Sequence, residues 1–117
     1  MAPQKAWVNP ADALIELHPP DYNFGEVNEG QFVEVAFTLR NIGDEILEIE
    51  IISACECIEA HWTTGKIQPD AQAEIKLLFD TRGRKGLNEK DIDLIFVNTD
   101  AEGYPLVKRA RLVGLVK

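Results

Sequence analysis

The stretch ISACECIEAHW, residues 52 to 62, holds both cysteines of the chain, Cys55 and Cys57, with His61 four positions further on. Two thiols beside an imidazole can hold a soft metal ion, cycle as a dithiol–disulfide couple, or simply fill a core. Two thiolates plus His61 suit zinc or copper(I) by ligand softness. In extended chain, however, Cys57 and His61 lie about 13 Å apart, beyond shared coordination unless the strand turns between them. The other histidine, His18, belongs to a different strand and completes no ligand set by spacing. A disulfide is the second reading. Positions i and i+2 of a strand are about 6.5–7 Å apart, so a bridge needs a bulge or turn at Glu56. Parity along the strand supplies the third reading. Leu47, Ile49, Ile51, Ser53, Cys55 and Cys57 all have odd numbers, and an unbroken strand turns them to one face. That is the core face, where free cysteine behaves as a small hydrophobe. The expectation is therefore a buried pair and no metal, with Cys55, Cys57 and His61 as the alternative copper or zinc set.

Little else reads as chemistry. The basic loop TRGRKG (81–86) places Arg82, Arg84 and Lys85 beside two glycines, a composition that could hold an anion and otherwise makes a solvated hairpin loop. Asp44-Glu45 and the Asp91/Asp93 pair read as turn and outer-strand residues. No serine or cysteine stands with a histidine at a spacing that marks an activated nucleophile, so no enzyme is expected.

The bulk composition bounds the partners. A chain of 117 residues, 45 % hydrophobic and 27 % charged, suits one soluble globular domain. Twenty acids against twelve bases leave a net charge of −8, which argues against nucleic acid and against anionic lipid surfaces. No apolar run approaches the roughly 20 residues of a membrane helix. The start, MAPQKAWVNP, lacks the apolar core of a signal peptide, which fits a cytoplasmic protein or the mature part of an exported one.

The elements that must position the cysteines follow a period of two. ALIEL (13–17) reads as a strand stopped by Pro19-Pro20, and YNFGEV (22–27) as its short continuation. QFVEVAFTLRN (31–41) turns Val33, Val35, Phe37 and Leu39 one way. ILEIEIIS (46–53) turns Leu47, Ile49 and Ile51 inward, and CIEAHW (57–62) is a further short strand. QAEIKLLFD (72–80) buries Ala73, Ile75, Leu77 and Phe79, while DIDLIFV (91–97) buries Ile92, Leu94 and Phe96. PLVKRARLVGLV (105–116) buries Leu106, Ala110, Leu112 and Val116. About seven short alternating strands predict an all-β, immunoglobulin-like antiparallel β-sandwich over residues 12–117, after an irregular segment 1–11.

A hairpin turning near Glu102 would set Asp93 opposite Arg111, Ile95 opposite Arg109 and Val97 opposite Val107. Ile95, Val97 and Val107 then form an apolar cluster on the outer face. The N-terminal segment around Trp7 would cover it, or it would serve as a docking surface for a protein partner.

Read in order, FGEVNEG (24–30), FTLRNIG (37–43), ACEC (54–57), IQPD (67–70), FDTRGRKG (79–86), VNTD (97–100) and LVGLV (112–116) resemble a bacterial domain family of unknown function common in exported proteins. That family carries a phenylalanine-glycine, an asparagine-x-glycine, a Cys-Gly-Cys-Thr and a proline-glycine signature. It is similar in fold to Hydin-type and major-sperm-protein-like Ig domains. Here Glu56, Ile58 and Asp70 stand where the family has glycine, threonine and the turn glycine. The resemblance implies a non-enzymatic Ig-like module without cofactor, a periplasmic, cell-envelope or extracellular location, and protein partners. A small metal-binding or thiol-redox protein using Cys55 and Cys57 is the alternative.

Overall fold

The computed structural model describes residues 9–117 and arranges them as two facing β-sheets. The described chain opens with a 3-10 turn, Pro10–Ala13, capped by the Asn9 side chain, which accepts from the Ala11 amide at 3.0 Å. Nine strands follow: β1 Ile15–His18, β2 Asp21–Val27, β3 Phe32–Asn41, β4 Leu47–Ser53, β5 Ile58–Trp62, β6 Lys66–Ile67, β7 Gln72–Asp80, β8 Gly86–Thr99 and β9 Pro105–Val116. One sheet has the order β1-β3-β7-β5 and the other β2-β9-β8-β4-β6. This is the expected Ig-like sandwich, because strands apolar on alternate positions must bury one face of each sheet against the other. Every inward residue expected on β3, β7, β8 and β9 is buried, with Phe37, Phe79 and Phe96 at the centre.

The sandwich departs from the sequence expectation where tertiary pairing intervenes. YNFGEV does not continue β1. The ladder ends at Pro19-Pro20, which have no amide hydrogens to donate, and β2 crosses to the other sheet, where it runs parallel to β9. One strand pair is thus parallel in a sandwich expected to be wholly antiparallel. From that position Tyr22 and Phe24 reach across the core edge-to-face onto Phe37 and Phe79, at 6.0 and 5.8 Å between ring centres. β8 starts at Gly86 rather than residue 91. Its first turn inward is polar, which hid it from a hydrophobic pattern: Asn88 is buried and its amide donates to the Arg84 and Gly86 carbonyls.

The β8–β9 hairpin pairs Asp93 with Arg109 and Ile95 with Val107, not with Arg111 and Arg109 as the simple hairpin predicts. The predicted register holds at Thr99–Pro105 alone. Between there and the Ile95–Val107 pair, β8 advances four positions while β9 advances two, so β8 carries two extra residues. An even slip preserves which face each side chain occupies, so the outer and inner sets survive although their partners change.

Asp70 has φ of +67°, the left-handed conformation, at the turn where the family resemblance places glycine. Its exposed ion pair with Arg40, at 3.6 Å, stabilises little. Replacing Asp70 by glycine should therefore raise stability by about 0.5–1 kcal/mol, read as a higher urea midpoint at unchanged slope.

Candidate functional site

The cysteines sit on the link Ala54–Cys57, which carries the chain from β4 in one sheet to β5 in the other. Parity fails just before it. Ile49 pairs with Phe96 and Ile51 with Ile95, so Glu50 is an extra residue, a bulge that reverses the facing of everything after it. Ile51 is consequently 52 % exposed and Ile52 is buried, the reverse of the sequence expectation. The chain then turns. The Ile58 amide donates to the Cys55 carbonyl at 3.0 Å, and the Asp80 amide to the Cys57 carbonyl at 2.8 Å.

That turn brings the two Cα atoms to 5.2 Å, and Cys55 and Cys57 form a disulfide. The expected pair of free buried thiols is thus corrected: the turn, absent from an unbroken strand, supplies the proximity. Glu56 needs no glycine-like backbone, since Asp70 is the one non-glycine residue of positive φ among those described. The two residues are unequally buried, with Cys57 7 % exposed in the core and Cys55 half-buried against it.

His61 does not join them. It lies on the outer face of β5, opposite Lys76, with Nε2 3.1 Å from Glu59. His18 lies on β1 opposite Thr38. Among the described residues no group of three His, Cys, Asp or Glu side chains is placed to share a metal ion. The structure thus does not bring Cys55, Cys57 and His61 together.

The basic loop is turned inward on its own acids. Arg82 forks onto Asp80, with contacts of 2.6 to 3.0 Å, and holds that carboxyl below its usual range, chiefly through the side-chain hydrogen bond. Arg82 also lies over the Phe32 ring at 5.7 Å. Lys85 approaches Glu29 at 3.8 Å, and Glu29 accepts from the Gly83 amide at 2.8 Å. Lys85 and Gly83 thereby tie the loop to the β2–β3 turn.

The apolar cluster is present and larger than the sequence indicates. Val107 pairs with Ile95, and Ile95 pairs with Ile51, making an apolar row across β9, β8 and β4, with Val97 52 % exposed beside it. Ile51 joins through the Glu50 bulge. Next to this row Arg109 bonds Asp93 at 2.8 Å and Arg111 bonds Asp91 at 3.2 Å. Trp7, expected to cover the cluster, lies outside the described residues.

Two buried polar residues escaped sequence reasoning. Asn41 is wholly buried; its Nδ2 donates to the Glu45 and Ile67 carbonyls at 2.7 and 3.0 Å, and its Oδ1 accepts from the Gly43 amide. Thr81, also wholly buried, donates to the Gln31 carbonyl at 2.6 Å and accepts from the Gly30 amide at 3.0 Å. The signal for both was a polar residue two positions before a glycine, Gly43 and Gly83.

This geometry defines the class: an Ig-like sandwich whose buried polar groups serve its own turns. The chain belongs to the DUF1573 family of proteins of unknown function, whose model matches residues 15–110. Among solved structures it is similar to a protein of unknown function from Porphyromonas gingivalis W83, with TM-score 0.71 and 18 % identity over 87 % of this chain and 46 % of that one. It thus spans about half the length of that relative. It is also similar to the ASH/PapD-like domain 7 of human CEP192, with TM-score 0.70 and 15 % identity over 100 % of this chain and 94 % of that one. A third is WR4, a C. elegans MSP family member, with TM-score 0.64 and 13 % identity over 87 % and 98 %. Among curated proteins no sequence matches.

Proposed function

We propose that this chain is a non-catalytic interaction module of an exported protein, and that it binds by accepting an extended segment at an open sheet edge. One observation carries the reading. β3 spans Phe32–Asn41, but β1 pairs with it over Thr38–Asn41 alone, and among the described residues no strand pairs with the same side of Phe32–Phe37. Alternation identifies the free groups. The Asn41 amide bonds Ala71 on the β7 side, whereas the Ile42 amide bonds Leu14 on the β1 side. Even-numbered residues therefore face the open side, which gives Glu34 and Ala36 unpaired strand groups there. Such an edge is a template for another strand. Glu34 is the charge that guards it, and exposed Phe32 flanks it.

The Cys55–Cys57 disulfide supports an oxidising compartment, periplasm, cell envelope or exterior, over the cytoplasm. No helix among the described residues is long and apolar enough to cross a membrane. The use of the buried polar side chains supports the non-catalytic reading: Asn41, Thr81 and Asn88 all bond backbone groups of the scaffold.

Ala36→Pro tests the reading, because proline is tolerated where a strand's amide faces solvent. The variant should melt within a few degrees of the parent. Peptides selected for binding by display should lose affinity for it at least tenfold, and should slow amide exchange at Glu34 and Ala36 in the parent. Selected peptides that bind the variant equally and leave those amides unprotected would refute edge addition.

A further inference from the structure

We propose that the Cys55–Cys57 bridge is a thiol–disulfide exchange site, opened and closed by an external dithiol while the domain stays folded. Three observations support this, none of which depends on the edge-binding reading.

First, the bridge spans a single residue, so it constrains the unfolded chain very little compared with a bridge closing a long loop. Second, the turn has its own supports. The Ile58–Cys55 and Asp80–Cys57 backbone bonds hold the link, and the strands on either side belong to separate sheets that are paired along their own lengths. Reduction thus removes one covalent bond and leaves the ladder intact, and Cys57, already in the core, is accommodated there as a thiol. Third, the two residues differ in burial, Cys57 lying in the core and Cys55 half-buried, which favours attack at Cys55.

The exchange balances with a dithiol as reductant. Its first thiolate attacks the Cys55 sulfur and forms a mixed disulfide. The Cys55–Cys57 bond breaks, its electron pair passing to the Cys57 sulfur, which takes up a proton. The second thiolate of the reductant then attacks its own sulfur in the mixed disulfide, and Cys55 leaves and is protonated. Two electrons and two protons enter the protein, and the dithiol becomes a disulfide. Glu56 within the ring and Glu59 just beyond it are exposed, and the chain is acidic overall. A thiol in a neutral or basic setting is therefore the favoured partner.

The test equilibrates the native protein with reduced and oxidised dithiothreitol, followed by acid quench, alkylation and mass analysis. The bridge should open at a measurable equilibrium without loss of far-UV circular dichroism or of a cooperative melt. With monothiols at low ionic strength, cationic cysteamine should open it at least about threefold faster than anionic glutathione at equal thiolate, and Glu56→Gln should shrink that ratio. Peptide mapping should place the trapped cysteamine adduct on Cys55. Cys57→Ser should expose a thiol that reacts in the native state, and Cys55→Ser one that reacts at the unfolding rate; if either variant fails to fold, the adduct map on the parent still decides. A bridge that opens solely on unfolding, two thiols alkylated without reductant, or an adduct on Cys57 would each overturn the proposal.

Discussion

Asn41→Ala should lower the unfolding free energy by about 3–5 kcal/mol, a large part of what a domain of this size possesses. The side chain is wholly buried at the end of β3, where it ties three separate segments. Its amide donates to Glu45 in the β3–β4 turn and to Ile67 on β6, while its oxygen accepts from Gly43. The backbone of the same residue donates to Ala71 and accepts from Asp70. Truncation leaves two carbonyls and one amide without their partner and opens a void, and each buried orphan costs about 1–3 kcal/mol. Asn41→Asp retains the acceptor, removes both donors and buries a charge, so it should be no milder. Urea denaturation followed by fluorescence measures both. A loss under about 1 kcal/mol for the alanine variant would show that water replaces the amide, and with it the hub role would fall.

Gly114→Ala should cost about 2–4 kcal/mol, because a β-carbon at this position would clash with the Phe24 ring. Gly114 pairs with Gly25 across the parallel β2–β9 ladder, and its bare backbone is the floor on which Phe24 rests while meeting Phe79 edge-on. Gly25, at φ +76°, sits at the register shift that turns Phe24 over that floor. The displaced ring would lose its contact with Phe79 and loosen β2, the strand that pairs in parallel. Phe24→Ala should cost about 3–4 kcal/mol by itself. The double variant should then recover at least about 1 kcal/mol relative to the sum, since a methyl group can occupy part of the space the ring vacates. Additive losses in such a cycle would mean that the two residues do not act through one contact.

These two sites also show what several of the short stretches quoted for the family resemblance do in this fold. Phe24-Gly25 meets Gly114 at the far end of the chain, and Asn41-Ile42-Gly43 closes a turn around a buried amide. A β-carbon on Gly43 would come 2.7 Å from the end of the Leu14 side chain, which would have to shift. Thr81 joins its own loop to Gly30 and Gln31. Each motif is a place where the chain must approach itself closely or satisfy a buried polar group. Single positions of this kind are weak signals in sequence, because the partner that gives them meaning lies some tens of residues away.

By itself the sequence determined that strands form, roughly where, and which side chains of β3, β7, β8 and β9 go inward. Those properties follow from a period of two, which is local and survives any even slip of register. Tertiary structure decided the rest. Pairing inserted Glu50 as a single extra residue, an odd step that turned Ile51 outward and ended the parity that had put both thiols in the core. It inserted two residues in β8, an even step that changed the cross-strand partners of Asp93 and Ile95 but no face. It sent β2 across to a parallel neighbour, which no alternation pattern encodes. ISACECIEAHW therefore became a bridged turn between two sheets, because proximity depends on where the chain bends, and the bend was set by hydrogen bonds to Asp80 on a strand more than twenty residues away.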